Sequence, residues 1–273
     1  MAWNRNSSAI VRRSQWMKKL DPDELVCNVS IPATRCSTSP VTQSMPLTIQ
    51  FSAGIRCLDF RARIDGETIQ TYHGATTGTL KESLMETQSF LSKYPSEFVL
   101  VRITTPFPRV EFDKIMETLL ESIGEQYFWR SKNAFPTVGD CLGKIVILDN
   151  FSCDATSFGI HYCRGFWVIQ DEGWITSIQY KLELIKRNFT LAKLKPFAYF
   201  ANFLSGIGKD VTSEYVTCGP RLSILDRIRK RHFPGTNVFA LKYINKNKHH
   251  VGIIFTDFPG PDLIKSIIKL NYE

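Results

Sequence analysis

Residues 54–64 read Gly54-Ile55-Arg56-Cys57-Leu58-Asp59-Phe60-Arg61-Ala62-Arg63-Ile64, and the next nine read Asp65-Gly66-Glu67-Thr68-Ile69-Gln70-Thr71-Tyr72-His73. The apolar character of the first run predicts a strand over Ile55–Ile64, of the kind buried on both faces. A second strand is expected over Thr68–His73. Only Asp65-Gly66-Glu67 lies between them. Parallel neighbours need a crossover of about a dozen residues, so these two strands form a hairpin or the sheet is irregular here. Asp59 and Arg61 carry charge into an otherwise apolar strand, which is costly unless each finds a partner.

Similar β-branched and aromatic runs recur on either side. They are Val26–Ile31, Phe98–Thr104, Lys144–Asn150, Phe166–Asp171, Phe197–Leu204 and Val251–Phe258. Amphipathic stretches of helical period separate most of them: Leu80–Tyr94, Phe112–Ile123, Ser177–Leu194 and Leu222–Arg231. Eight strands with interleaved helices predict an α/β protein, an irregular TIM-type (β/α) barrel. One domain is expected over residues 1–273, with 1–15 as a flexible N-terminal extension. Chemistry in such a barrel sits at the C-terminal ends of the strands. Here those ends carry Arg35 and Cys36, Asp59 and Arg61, His73, Asp149, Asp171, Asn202 with Ser205, and Asp257. Any one of them reads most simply as a strand-end ion pair. Six or seven on one rim read as a site.

Composition bounds the partners. The chain has 273 residues, 43% hydrophobic and 22% charged, which suits one sizeable core. The net charge of +8 favours anions. The basic stretches, Arg12–Arg13 with Lys18–Lys19, Arg227–Arg231 and Lys242–His250, lack the interleaved stacking aromatics of single-strand binders, so no nucleic acid is expected. No apolar run approaches the ~20 residues of a membrane span, and residues 1–20 hold no apolar signal core. A cytoplasmic or peripheral membrane protein, monomeric, is expected. Seven cysteines without a CxxC pair point to reduced thiols and no zinc site.

Read together, the motifs resemble one family. Ser30-Ile31-Pro32-Ala33-Thr34-Arg35-Cys36-Ser37 resembles the SIPGTHDS opening of the phosphatidylinositol-specific phospholipase C X domain. Gln43-Ser44 with Leu47 and Gln50 is similar to its QS-x-x-L-x-x-Q, and Gly54–Arg61 to its GIRYLDIR. Tyr72-His73-Gly74 resembles the short strand carrying the family's second histidine. Phe90-Leu91 with Tyr94-Pro95-Ser96-Glu97, Gly143–Val146, Gln170-Asp171 and Gly252–Ile264 continue the likeness in order, from about Trp16 to Asn271. The likeness is to the small, calcium-independent bacterial and fungal branch.

The resemblance implies a reaction on phosphatidylinositol. The inositol 2-hydroxyl attacks its neighbouring phosphate and diacylglycerol leaves. One histidine acts as general base and a second as general acid, because imidazole titrates near neutrality. An arginine steadies the phosphoryl oxygens, and carboxylates orient the histidines. On this chain the resemblance puts the acid at His73, the phosphate arginine at Arg61, a carboxylate at Asp59, the base-orienting carboxylate at Asp257, and inositol contacts at Asp171. No cofactor or metal is implied. The partner implied is an inositol phospholipid or inositol phosphate, met at a peripheral membrane surface.

The base histidine is Arg35 here, the aspartate after it is Cys36, and an aromatic two residues after Asp171 is Gly173, with Trp174 beside it. Thr104 and Thr105 stand where basic pocket residues often occur. Arginine keeps its proton near neutrality, but its planar fork suits phosphate. Two readings follow. One is a phosphodiesterase in which Arg35 lowers the Cys36 pKa to give a thiolate. The other is a binding protein for inositol phosphates or anionic lipids. His161, His232, His249 and His250 read as surface or loop histidines, and Trp16 and Trp174 as packing or rim aromatics.

Overall fold

The computed structural model describes residues 12–106, 109–151, 158–162, 165–208, 212–219 and 234–272. Ten strands are found: β1 Ile31–Thr34, β2 Cys57–Asp65, β3 Thr68–His73, β4 Ala75–Thr79, β5 Val99–Thr104, β6 Ile145–Asp149, β7 Gly159–His161, β8 Trp167–Gln170, β9 Tyr199–Phe203 and β10 Ile253–Thr256. The helices are α1 Leu47–Ala53, α2 Leu80–Lys93, α3 Arg109–Ile123, α4 Val138–Cys141, α5 Ile178–Leu194, α6 Ser213–Cys218, α7 Thr236–Asn247 and α8 Pro261–Lys269.

Eight strands form a parallel path in the order β7-β6-β5-β2-β1-β10-β9-β8. The two ends of that path, β7 and β8, are consecutive in sequence, yet no backbone pairing joins them among the described residues. Side chains fill this seam. Trp167 Nε1 donates to the His161 carbonyl at 3.0 Å. The Trp167 ring packs tilted against Tyr162 at 4.4 Å and stacks on Tyr199 at 4.6 Å, and Phe135 continues the stack at 5.7 Å from Tyr199.

β2 resolves the hairpin question both ways. Its first half, Cys57–Arg61, pairs parallel with β5, and its second half, Ala62–Asp65, pairs antiparallel with β3. The strand therefore leaves the barrel halfway along and carries β3 and β4 outward as a small sheet. A register shift between Thr71 and Tyr72 turns the end of β3, where His73 sits.

Local chemistry explains the boundaries. Thr79 and Glu82 form a reciprocal capping box that starts α2. Ser177 accepts from the Tyr180 amide and starts α5. Pro261 stands in the first turn of α8, where its missing N–H costs nothing. Gly252 has φ +74°, and a β-carbon there would lie 2.4 Å from the Phe200 carbonyl oxygen, so the entry to β10 demands glycine.

Two expectations are corrected. The apolar run Val26–Ile31 is not the first strand: Val26–Asn28 is a 3-10 turn and the strand begins at Ile31. Pro32 sits inside β1, but its missing N–H faces β2, with which only Ala33 pairs, to Cys57. β4 and β7 were not expected; Ala75–Thr79 has no apolar alternation and Gly159–His161 has three residues. Of the expected N-terminal extension, residues 1–11 lie outside the described residues; beyond them the Arg13 amide donates to the Ser52 carbonyl at 2.7 Å. The expected helix Leu222–Arg231 lies outside the described residues.

The strand-start end of the barrel is sealed by a buried ion pair. Arg56 and Glu97, both without solvent exposure, meet at 2.8 Å. Arg56 Nη1 donates to the carbonyls of Phe51 and Ile55, and Nη2 to those of Arg13 and Ser14. Trp16, 6% exposed, is a packing aromatic as expected, its Nε1 donating to the Gly54 carbonyl.

Candidate active site

At the strand-end mouth the loop after β1 brings Arg35 against Asp257, which follows β10. The β1–β10 pairing aligns Thr34 with Thr256, so the next residues lie side by side. Arg35 Nε and Nη2 donate to Asp257 Oδ1 and Oδ2, each at 3.1 Å. Asp257 is fully buried, and the Ser213 hydroxyl on α6 makes a very short hydrogen bond to its Oδ2. Burial opposes the Arg35 charge, but Asp257 outweighs it, and the guanidinium is held more firmly protonated than in water. Each member of the pair is followed by a residue in the left-handed region: Cys36 at φ 44° and Phe258 at φ 49°. That backbone is uncommon for these residue types and clusters at functional sites.

Asp59 on β2 is also taken by an arginine. Arg102, its register partner on β5, donates from Nη1 to Asp59 Oδ1 at 2.6 Å. Asp59 Oδ2 accepts from the Cys36 amide at 3.1 Å. The Arg102 guanidinium lies 4.8 Å from the Tyr162 ring and 5.3 Å from Phe203, inside the barrel. Both carboxylates at the positions expected to orient imidazoles are thus bound to guanidinium groups.

His73 is half-buried at the end of β3 and finds a hydroxyl instead. Its Nδ1 lies 2.9 Å from Ser39 Oγ. Burial lowers its pKa, and the cations Arg35 and Arg61 lower it further, against Asp257 and Asp59. All four charges therefore act on one imidazole. Arg61, two residues beyond Asp59 on the same face of β2, is exposed, and no ion pair or hydrogen bond engages it among the described residues.

Cys36 does not behave as the thiolate reading requires. Burial and then Asp59 push its thiol up to about 12, and the two arginines do not compensate. A thiol in that range is protonated at neutral pH and is a poor base or nucleophile.

Asp171 follows β8 and is exposed, with its charge felt by Arg102 and Lys181. Trp174 is 57% exposed on the rim, where its loop pairs with the loop of Ile207. No contact joins it to Arg61 or His73. Asp149 is buried at the end of β6, 4.0 Å from His161 Nδ1. Asn202 accepts from Gln170 and donates to the Ile185 carbonyl, a structural role. His250 is half-buried rather than superficial: desolvation lowers its pKa to about 4, and Nδ1 meets Ser30 Oγ at 3.3 Å. His232 lies outside the described residues.

Sequence reading missed Arg102, Ser39, Ser213 and Lys181. Lys181 on α5 is fully buried, and its Nζ donates to Gln170 Oε1 at 3.1 Å and to the Glu172 carbonyl at 2.6 Å. It thereby fixes the turn that carries Asp171. Burial lowers its pKa to about 8, against the pull of Asp171 and Glu172. Around the mouth stand four cations, Arg35, Arg61, Arg102 and Lys181, against Asp59, Asp171 and Asp257. Glu172, beside Asp171, makes the acids four as well, and Arg61 alone of the four cations projects to solvent.

Among the described residues no group of three His, Cys, Asp or Glu side chains could hold a metal ion. No described helix is long and apolar enough to cross a membrane. Cys27, Cys36, Cys57 and Cys141 are buried thiols outside any disulfide.

Comparison with known proteins gives a consistent result. The model of the phosphatidylinositol-specific phospholipase C, X domain, matches residues 29–150. A 1-phosphatidylinositol phosphodiesterase of Listeria monocytogenes is 26% identical over 98% of this chain and 88% of that protein. The solved phosphatidylinositol-specific phospholipase C of Listeria monocytogenes superposes with a TM-score of 0.78 at 26% identity, covering 95% of this chain and 99% of that one. The fold is shared with the Staphylococcus aureus enzyme, at a TM-score of 0.71 and 22% identity over 93% of this chain and 97% of that one. The X-domain match spans β1 to β6, which carry Arg35, Asp59, Arg61 and His73, and the whole-chain likeness extends it through Asp257. Residues 29–150 thus carry the phosphatidylinositol-specific phospholipase C X-domain match, and the chain as a whole is similar in sequence and fold to the Listeria monocytogenes enzyme.

Proposed function

We propose that the mouth binds the phosphorylated head group of phosphatidylinositol-type lipids, and that cleavage of the head-group phosphodiester is slow because no general base faces the inositol hydroxyl. The observation that carries this reading is the bidentate Arg35–Asp257 pair. A guanidinium stays protonated at neutral pH, so Arg35 takes no proton. Asp257 spends both oxygens on Arg35 and Ser213. His73 is the titrating group left beside the phosphate arginine, and as acid it serves one half of the reaction.

Chemically, Arg61 donates to the phosphoryl oxygens and Asp171 accepts from inositol hydroxyls. Arg35 uses its remaining N–H groups on the same anion, or simply neutralises Asp257. Retained recognition with weakened turnover follows, since general-base help contributes about 10²–10⁴-fold. The test pairs calorimetry with myo-inositol 1-phosphate and a head-group release assay on phosphatidylinositol vesicles, without added metal. Expected are measurable binding, a loss of about tenfold or more in affinity on Arg61→Ala, and slow release. Equal affinity in wild type and Arg61→Ala removes Arg61 from the site. Rapid release by the wild type shows that another group takes the proton.

A further inference from the structure

At the opposite end of the barrel the two ends of the described chain build a basic groove. Arg12, Arg13 and Lys19 come from the segment before β1, and Lys265 and Lys269 from one side of α8. The groove has a volume of about 560 Å³, and no Asp or Glu lines it among the described residues. The nearest buried acid, Glu97, is already neutralised by Arg56. Lys265 and Lys269 stand at i and i+4 on α8.

The walls are fixed by buried bonds. Arg56 holds the carbonyls of Arg13 and Ser14 from inside the barrel. The Met17 amide donates to Glu97 at 3.1 Å. The Tyr272 hydroxyl donates to the Trp16 carbonyl and ties the end of the chain to this segment. Trp16, 6% exposed, forms part of the lining. A charge cluster on a mobile tail would move apart to relieve its repulsion. This one is held together on a braced scaffold.

Its position selects the occupant. Arg56 and Glu97 precede β2 and β5, and α8 runs back from the end of β10. The groove therefore lies at the strand starts, facing away from the mouth. A bilayer held there would leave the mouth pointing into solvent.

We propose that this groove is a second anion site, built for a soluble, multiply phosphorylated small molecule and distinct from the mouth. Its recognition is by lysine and arginine charge at close range, so it is sensitive to salt. The inference does not depend on what the mouth binds.

The test is titration calorimetry of the full chain with sodium tripolyphosphate, in wild type, Arg61→Ala, and Lys19→Gln with Lys265→Gln. Both lysines are exposed, and glutamine keeps their length and removes their charge. The expected wild-type isotherm has two sites. Arg61→Ala is expected to leave the groove's affinity within about twofold, and the lysine pair to weaken it by about tenfold or more. An isotherm unchanged by the lysine pair overturns the proposal, and one abolished by Arg61→Ala alone does the same. If the lysine pair removes all binding while Arg61→Ala changes nothing, the groove stands and the reading of the mouth falls. Flotation with phosphatidylserine vesicles is the second arm. Lysine-dependent flotation without tripolyphosphate binding identifies a lipid surface as the occupant and overturns a soluble ligand.

Discussion

Replacing Arg35→His together with Cys36→Asp puts an imidazole beside Asp257 and a carboxylate beside Arg61. The backbone favours the second change, since position 36 has φ 44° and aspartate tolerates that region better than most residues. The first change removes a bidentate bond to a fully buried carboxylate. Losing one partner of a buried pair costs about 3–5 kcal/mol, but a histidine that donates one ring N–H to Asp257 recovers part of it. That bond also raises the histidine pKa, so the neutral, base-competent form increases with pH and activity is expected to rise from pH 6 to 8. General-base catalysis is worth about 10²–10⁴-fold. The lower end is expected here, because Asp59 stays bound to Arg102 and His73 stays oriented only by Ser39. The assay is head-group release from phosphatidylinositol vesicles, with thermal melting to confirm folding, on wild type, the double variant, and the double variant with His73→Ala. A gain of about 10²-fold that disappears with His73→Ala is expected. A folded but silent double variant refutes the reasoning that the base alone is missing. A gain that survives His73→Ala refutes the assignment of the acid.

Further outcomes are expected. His73 should titrate below its ordinary value of 6.5, and Arg61→Gln should raise that pKa by removing a neighbouring cation, as read by NMR of the imidazole. Lys181 is depressed from 10.5 to about 8 when folded. The unfolded chain therefore holds its proton through pH 8–10.5 while the native chain releases it, so stability rises across that window. At about 1.36 kcal/mol per pH unit the full effect is on the order of 3 kcal/mol, and Lys181→Met should flatten this part of the denaturation-versus-pH curve. Glu97→Gln should lower stability by about 3–5 kcal/mol in urea unfolding, because it leaves Arg56 buried without its counter-charge.

Strand positions followed from apolar runs wherever a strand is buried on both faces, as in β2, β5, β6, β9 and β10. The method failed at β4, whose threonines and glycine lie outside the barrel, and at Val26–Asn28, where apolar residues pack as a turn. At the site, Arg35, Asp59, His73 and Asp257 were legible because polar residues at strand ends are unusual. Arg102 carried the same signal, a charge inside Phe98–Thr104, and was passed over. Lys181 was readable too, since it occupies an apolar-face position with Ile185, Asn188 and Phe189 on α5. The hydrogen bonds that decide what these groups do were not legible, because they pair residues distant in sequence. The Cys36 thiol shows the difference. Its neighbours by sequence promise a lowered pKa, and its burial beside Asp59 reverses the sign.

The seam between β7 and β8 bears on how the barrel breathes. Along most of the wall, and between β1 and β10 in particular, a ladder of amide bonds must break for the strands to part. At the seam, rings slide and one indole bond lets go. Local opening therefore starts on that side, and its amides exchange with solvent ahead of those in β1 and β10. β1 lies in the middle of the strand order and β10 beside it, with three and two strands respectively between them and the nearer free edge. The Arg35–Asp257 pair that follows these two strands sits in the part of the wall that yields last, so the mouth keeps its shape while the far side loosens.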